Sequence, residues 1–277
     1  MLYDLHAHTS ASDGSFTPEE LVDFAVQQGL GALAKCDHDT TDANARFLRH
    51  GEGKPIRLIA GVELSATWQN GNCHIVGLHV RDDCAPLEET LAAIRAGRGD
   101  RNGKIIAKLN QLGVDVTLEE AAALAGGDII ARPHIARVMV EKGYAQSVQE
   151  AFDRYLAKGA PAYLDRFRLD PERAVSLLVQ AGARVVLAHP TQLKLDIDGV
   201  DELVGRLRPH GLAGIEVYTP YTPDELIGPY LDIAARHELI VTGGSDFHGA
   251  SKPNHFLGYY REDVPIPQSV LDHFAPR

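Results

Sequence analysis

The residues able to do chemistry in this chain come in small groups set far apart. His6 and His8 stand two apart near the start, and Asp13 follows shortly after. Asp37, His38 and Asp39 form a second group, Glu63 and His74 stand singly, His189 precedes a proline, and Asp246 and His248 lie in "GGSDFHG". Imidazole nitrogens and carboxylate oxygens together make a mixed, moderately hard ligand set. It suits manganese, iron or zinc, whereas a thiolate-rich set would narrow the choice to zinc. Taken singly, each residue has an ordinary use. A histidine near a strand end is usually only polar, Glu63 could be a salt-bridged acid, and Asp246 could cap the next segment.

What separates these readings is where the groups fall on the elements. Short apolar runs predict strands at Leu2–His6, Ala32–Asp37, Arg57–Glu63, Cys73–Val80, Arg184–Ala188, Gly214–Tyr218 and Leu239–Thr242. Helical patterns lie between most of them, at Pro18–Gln28, Thr41–His50, Pro171–Ala181, Gly199–Arg208 and Pro223–Arg236. Thr17-Pro18-Glu19-Glu20 has the chemistry of a helix start, and Asp170-Pro171-Glu172 repeats it. This alternation predicts a mostly parallel sheet with crossover helices. In parallel α/β barrels the strand C-termini converge on one face, and active sites are built there. His6, the Asp37–Asp39 group, Glu63 and His189 all stand at such ends, and Asp246 and His248 follow the seventh strand.

His74 begins a strand rather than ending one. Only "LSATWQNGN" separates Glu63 from Cys73, and Asn70-Gly71 is a strong turn signal. Strand four therefore runs back against strand three, and its start lies on the same face as the other strand ends. The spacing of His6 and His8 has its own reason. Residues two apart in a strand share a side, so two imidazoles meet one ion while small Ala7 faces the opposite layer. Glu216 reads as a supporting acid more than a ligand, and Asp4 as support or core packing. Convergence of this many ligand types on one face predicts a metal site.

The hairpin argues against a regular eightfold barrel. The expected fold is α/β, a distorted seven-stranded (β/α)7 barrel with irregular closure. From Pro86 to Tyr163 no strand is evident, and helices are predicted at Pro86–Arg95, Asn102–Leu112, Leu118–Leu124, His134–Lys142 and Val148–Leu156. The expected organisation is barrel over 1–85 and 164–277, with a small helical insertion over 86–163 that carries specificity.

Composition narrows the function classes. The chain has 277 residues, 44% hydrophobic and 23% charged, as an ordinary globular protein does. A net charge of −11 argues against a broad duplex-DNA-binding face. Three cysteines in no CxxC arrangement point to a reducing compartment. Cys84 reads as a small buried residue, while Cys36 and Cys73 lie near candidate ligands. With a strand beginning at Leu2 and no apolar run of membrane-spanning length, the expectation is a cytoplasmic enzyme with no membrane partner.

Taken as a set and in this order, "DLHAHTSASDG", "CDHDT", "GVELS", "HIVGLH", "AHP" and "GGSDFHG" resemble the motifs of the PHP (polymerase and histidinol phosphatase) family of metal-dependent phosphoesterases. Within it the chain resembles the stand-alone members with a helical insertion, of the 3′,5′-nucleoside bisphosphate phosphatase and 5′→3′ exoribonuclease type. The resemblance implies a distorted seven-stranded barrel with two or three divalent ions, manganese foremost. It implies that His6, His8, Glu63 and Asp246 hold the first ion. Glu63 would bridge to a second held by His74 and His189, and Asp13, His38 and His248 would hold the third. Some relatives have His where this chain has Asp13, and Thr where it has Cys36.

A multi-metal centre beside a phosphate ester activates a hydroxide for in-line attack and neutralises the phosphoryl oxygens. Glu63, His189 and Asp246 would serve that reaction as metal-site residues, with the general acid unassigned. In the predicted insertion, Arg132 and His134 open a helix whose amides could bind an anion. Arg98, Arg101 and Asn102 stand at its entrance, with Lys158 and Arg166 of similar standing; a solvated basic surface is the plain alternative. A second anion site suits a substrate with two phosphates. The leading expectation is therefore conversion of adenosine 3′,5′-bisphosphate to AMP. The alternatives are 5′→3′ cleavage of short 5′-phosphorylated RNA, a histidinol-phosphate-type phosphatase, an amidohydrolase using the same metals, and an inactive PHP module. The oligomeric state is left open.

Overall fold

A computed structural model describes residues 2–68, 71–81, 83–125, 130–164 and 168–274, without the side chains of 98, 99 and 272–274. Seven strands form one sheet in chain order: β1 (Leu2–Ala7), β2 (Leu30–Lys35), β3 (Arg57–Ala66), β4 (Cys73–Leu78), β5 (Arg184–Leu187), β6 (Leu212–Tyr218) and β7 (Ile240–Gly243). All neighbours pair in parallel except β4, which is antiparallel to both β3 and β5. The two outer strands meet just past their ends. Ala7 bridges Phe247, and the His8 N–H donates to the Phe247 carbonyl at 2.9 Å.

The expected hairpin is present and longer than predicted. β3 runs on to Ala66, so Glu63 lies inside the strand, opposite Val76, and Ser65 lies opposite His74. Ladder pairing holds three more residues because Leu64 and Ala66 bury against the outer helices. Asn70, half of the turn signal, lies outside the described residues.

The two faces of the sheet have different cores. Tyr3, Leu5, Ala32, Ala34, Ile59, Val76 and Val186 meet on one face, closed by Tyr260, Ile266 and Val270 from the C-terminal segment. Val62, Leu64, Ile75, Leu187, Ile215 and Val217 pack on the other face. They meet α7 (Pro171–Gln180), α8 (Ile197–Leu207) and α9 (Asp224–Arg236) there. Because strand side chains alternate, Glu63 shares the inner face with Ile59, His74 with Val76, and Glu216 with Gly214. β1 is the exception. Leu5 packs on the inner side, but Ala7 packs outside with Leu21, Val22 and Phe47 of α1 (Pro18–Gln27) and α2 (Asn44–His50). A register shift between Asp4 and Ala7 reverses the alternation and turns His6 and His8 inward.

Between β4 and β5 lie α3 (Ala85–Gln111), α4 (Leu118–Ala125), α5 (Arg132–Glu141) and α6 (Val148–Ala151). The two helices expected at Pro86–Arg95 and Asn102–Leu112 are one, a single run of 27 residues through Gly97 and Gly103. Each helical glycine costs about 1 kcal/mol relative to alanine. The helix survives because both halves are anchored. Leu87, Leu91 and Ile94 join the outer core of the sheet, while Ile105, Ile106 and Leu109 join a separate cluster with Val116, Ile135 and Met139. Arg101 and Asn102 are therefore mid-helix and buried, not at the mouth of a segment. Among the described residues, no helix is long and apolar enough to cross a membrane.

The two matching helix starts differ in practice. Thr17 makes a full capping box: its hydroxyl accepts from the Glu20 N–H, and Glu20 accepts from the Thr17 N–H. Asp170 caps α7 through its backbone alone. Thr17→Ala is expected to cost about 1 kcal/mol in urea unfolding, and Asp170→Ala to leave the midpoint almost unchanged.

Candidate metal centre

Glu63 is the hub of the inner face. Its side chain is fully buried and touches five imidazoles. Oε2 lies 3.0 Å from His38 Nδ1 and 3.3 Å from both His6 Nε2 and His8 Nε2. Oε1 lies 2.9 Å from both His74 Nδ1 and His189 Nε2. Asp246 Oδ1 is 3.2 Å from His8 Nε2 and 3.8 Å from His6 Nε2. Asp13 Oδ1 is 3.3 Å from His248 Nε2, and its Oδ2 is 3.9 Å from His38 Nε2. All nine residues proposed from the sequence as metal ligands thus come together.

Eight of them sort into three overlapping groups whose ligand atoms lie within 4.8 Å of one another: His6, His8, Glu63 and Asp246; His38, Glu63 and His74; and His8, Asp13, His38 and His248. His189 falls in none of the three and joins the set through Glu63 Oε1, so the second group has His38 where His189 was expected. His8 serves two groups, which its spacing from His6 did not indicate.

The geometry fits cations better than it fits hydrogen bonds. Buried Asp13 Oδ1, Glu63 Oε2, His38 Nδ1, His74 Nδ1 and His248 Nε2 lack a properly directed hydrogen bond. A buried polar atom left so costs about 1–3 kcal/mol. Several such atoms facing one another are a donor set that divalent ions satisfy. The charges agree. Burial opposes ionisation of Glu63, yet His38, His74 and His6 hold it well below the usual carboxylate range. Asp246 is held low against its burial by Lys252 and His248, and Asp13 by His248 and His38. Burial opposes a charge on His8, but Asp246 and Glu63 push its pKa up to about 9. A bound cation would displace such protons.

Supporting residues aim these groups. Glu216 Oε1 lies 2.8 Å from His6 Nδ1, which leaves His6 Nε2 facing Glu63. Glu216 Oε2 accepts the His189 N–H at 2.7 Å. Asp4 accepts from the N–H groups of His6, Ser245 and Gly258 and from the Ser245 hydroxyl. It thereby ties β1 to the segment that carries Asp246, and burial raises its pKa to about 6. The expected supporting roles of Glu216 and Asp4 match these contacts. Asp39, His189 and Asp246 have φ of 54°, 26° and 49°, left-handed backbone at three turns of the site. Close approach also needs glycine: a Cβ on Gly244 would sit 2.3 Å from His6 Cβ, and one on Gly14 would sit 2.6 Å from the His8 carbonyl.

The remaining expectations land as follows. Cys36 and Cys73 are buried thiols whose pKa burial pushes up to about 12, so both act as packing, as does buried Cys84. Arg101 donates to Asn102 Oδ1, and Asn102 donates to the Ile130 carbonyl. Arg132 donates to the Leu156 carbonyl and faces the rings of Phe152 and Tyr163. His134 does begin a helix, but its ring accepts the Ala131 N–H, so one amide expected to face an anion is already used. Lys158 is exposed. Arg166 and the side chain of Arg98 lie outside the described residues. α3 reaches the site through Arg95, which donates to the Asp39 carbonyl at 3.4 Å, and Glu88, which accepts from the Thr41 hydroxyl at 2.6 Å.

Sequence reading missed the support under Asp13. Asp37 accepts from the Thr9 N–H, the Thr9 hydroxyl and the Ser12 hydroxyl, and pairs with fully buried Lys35 at 2.7 Å. Its position between Cys36 and His38 was the available signal. It also missed Tyr221 and Lys252 against Asp246, for which no spacing gives a clue. Asp37→Ala is expected to cost about 3 kcal/mol or more in urea unfolding, because it strands the Lys35 charge. The paired change Lys35→Met with Asp37→Leu should recover much of that loss.

Residues 4–164 match the family model described as the PHP domain. The 5′-3′ exoribonuclease Rnm of Escherichia coli (strain K12) is 38% identical over 252 residues, covering 90% of this chain and 85% of that protein. The 3′,5′-nucleoside bisphosphate phosphatase of Chromobacterium violaceum is 32% identical over 275 residues, covering 99% of this chain and 96% of that one. A structure from Bifidobacterium adolescentis described as a metal-dependent phosphoesterase aligns with a TM-score of 0.86 at 29% identity, over 98% of this chain and 94% of the other. With its ligand-type residues gathered on the inner face, the chain belongs to the PHP domain family and is a metal-dependent phosphoesterase.

Proposed function

We propose that the chain removes the 3′-phosphate from nucleoside 3′,5′-bisphosphates, converting adenosine 3′,5′-bisphosphate to AMP. The observation that carries the reading is the set of three overlapping ligand groups, two of which share Glu63, with their undirected buried lone pairs. In this reading His6, His8, Glu63 and Asp246 hold one ion, Glu63, His74 and His189 a second, and Asp13, His38 and His248 a third, with manganese the leading candidate. Bound divalent ions supply an activated water and neutralise the phosphoryl oxygens.

The chain's own residues do the rest. Glu216 and Asp4 fix His6, Asp37 holds the loop that carries Asp13, and burial of the hub keeps bulk water from the ligands. The helical segment 86–163 acts as the specificity domain, with Arg101, Asn102, Arg132 and His134 as its set for the 5′-phosphate, which they reach only by exchanging the internal contacts described above. Support for that placement is the tie between α3 and the His38 loop through Arg95 and Glu88.

A second reading is 5′→3′ removal of nucleotides from short 5′-phosphorylated RNA. It is favoured by the 38% identity to an exoribonuclease. Both readings put the attacked phosphorus on O3′ of a 5′-phosphorylated nucleotide, and they differ only in whether a further nucleoside follows.

Chelator-stripped protein reloaded with manganese should release phosphate from adenosine 3′,5′-bisphosphate at least about tenfold faster than from AMP, the worth of one charge-assisted hydrogen bond. Equal rates would sink the second anion site. A 5′-phosphorylated dinucleotide in the same panel separates the two readings, and histidinol phosphate should be left intact. Glu63→Gln should lose the first two ions together, as counted by elemental analysis, and should lose turnover with them.

A further inference from the structure

Asp246 makes more contacts than a metal ligand needs. Its carbonyl lies 2.7 Å from His248 Nδ1 and 2.9 Å from His255 Nδ1. Its Oδ2 accepts from the Tyr221 hydroxyl at 2.5 Å and from Lys252 Nζ at 2.6 Å. Lys252 also donates to the Tyr221 oxygen at 3.0 Å, so carboxylate, phenol and ammonium close a triangle. Only Oδ1 is turned toward His6 and His8.

The two donors come from separate loops. Tyr221 precedes α9, and Lys252 follows β7. The Tyr221 ring is wedged edge-on between His189, with centroids 5.5 Å apart, and His255, at 5.3 Å. Its hydroxyl is thus aimed by packing. The Lys252 side chain keeps 34% of its surface exposed, so it can be changed without opening the core.

A carboxylate beside a cation can bind through one oxygen or both, and it can rotate between the two modes. Two short donors on Oδ2 occupy its lone pairs and fix the plane of the group. We propose that Tyr221 and Lys252 are positioning residues that hold Asp246 as a one-oxygen ligand, through Oδ1, to the ion it shares with His6, His8 and Glu63. The proposal rests on Asp246 being a ligand, as set out above. Partners of this kind around a ligating group typically change metal affinity 10- to 100-fold when removed. Lys252 adds a second effect: its ammonium offsets one carboxylate charge in a cluster that also holds Glu63 and Asp13.

The test uses the full chain and does not depend on turnover. Manganese and cobalt are titrated into chelator-stripped parent, Tyr221→Phe, Lys252→Met, Lys252→Arg and Asp246→Asn. Affinity is read by chelator competition and ligand geometry by cobalt absorption. We expect Tyr221→Phe and Lys252→Met each to weaken one ion about tenfold or more and to shift the cobalt spectrum. Lys252→Arg should restore part of both, and the metal-free melting temperatures should stay near that of the parent. If Asp246→Asn loses an ion while Tyr221→Phe and Lys252→Met keep parental affinity and spectrum, the positioning role is wrong, even if activity falls. If Asp246→Asn binds every ion like the parent, the ligand assignment fails and the proposal goes with it.

Discussion

A single buried carboxylate with five imidazoles around it sets the terms for this structure. Glu63 has no exposed surface, so its charge must be balanced from within. The balancing groups come from β1, β4, the turn after β2 and the turn after β5. Each of those elements must end at the same height on the inner face. The reversed β4 is part of the solution, because it delivers His74 from a strand start. The register shift in β1 is another part, because it turns two histidines inward where regular alternation would turn them out. Left-handed backbone at Asp39, His189 and Asp246 follows from the same demand. Such conformations cost about 1–3 kcal/mol each for residues with side chains, and persist only where their surroundings hold them.

Much of this could be read from the sequence, for a physical reason. Ligand residues at strand ends leave a local mark: an apolar run that stops in His, Asp or Glu. Seven apolar runs, four of which stop so, with one connection too short for a helix, were enough to give a mostly parallel sheet and the reversal of β4. The same marks brought His6, His38, Glu63 and His189 to one face, whereas Asp13 was grouped with them only through the PHP motifs. The PHP motifs add specificity because they group residues that alternation alone leaves ungrouped.

What stayed hidden depends on distance in the chain. Tyr221 meets Lys252 across a helix and a strand, and neither residue type is unusual where it stands. The Lys35–Asp37 pair is written in adjacent residues, yet nothing local says that a lysine inside a strand points into the core. The continuity of α3 was missed between Arg95 and Asn102, a stretch that holds Gly97 and Gly99. Only the two cores, one at each end, show why the helix carries on. Asp170 shows the converse: the right residues for a cap, with no side-chain cap made.

That helix has a mechanical meaning. At 1.5 Å per residue, 27 residues make a rod about 40 Å long. One end is set in the core of the sheet and tied to the His38 loop, and the other is set in the helical cluster. The two grips leave the glycine-bearing middle of the rod as the one span that joins the helical cluster to the metal-bearing face, like the beam of a caliper between its jaws. A molecule that must touch both is measured by its length as well as by its chemistry.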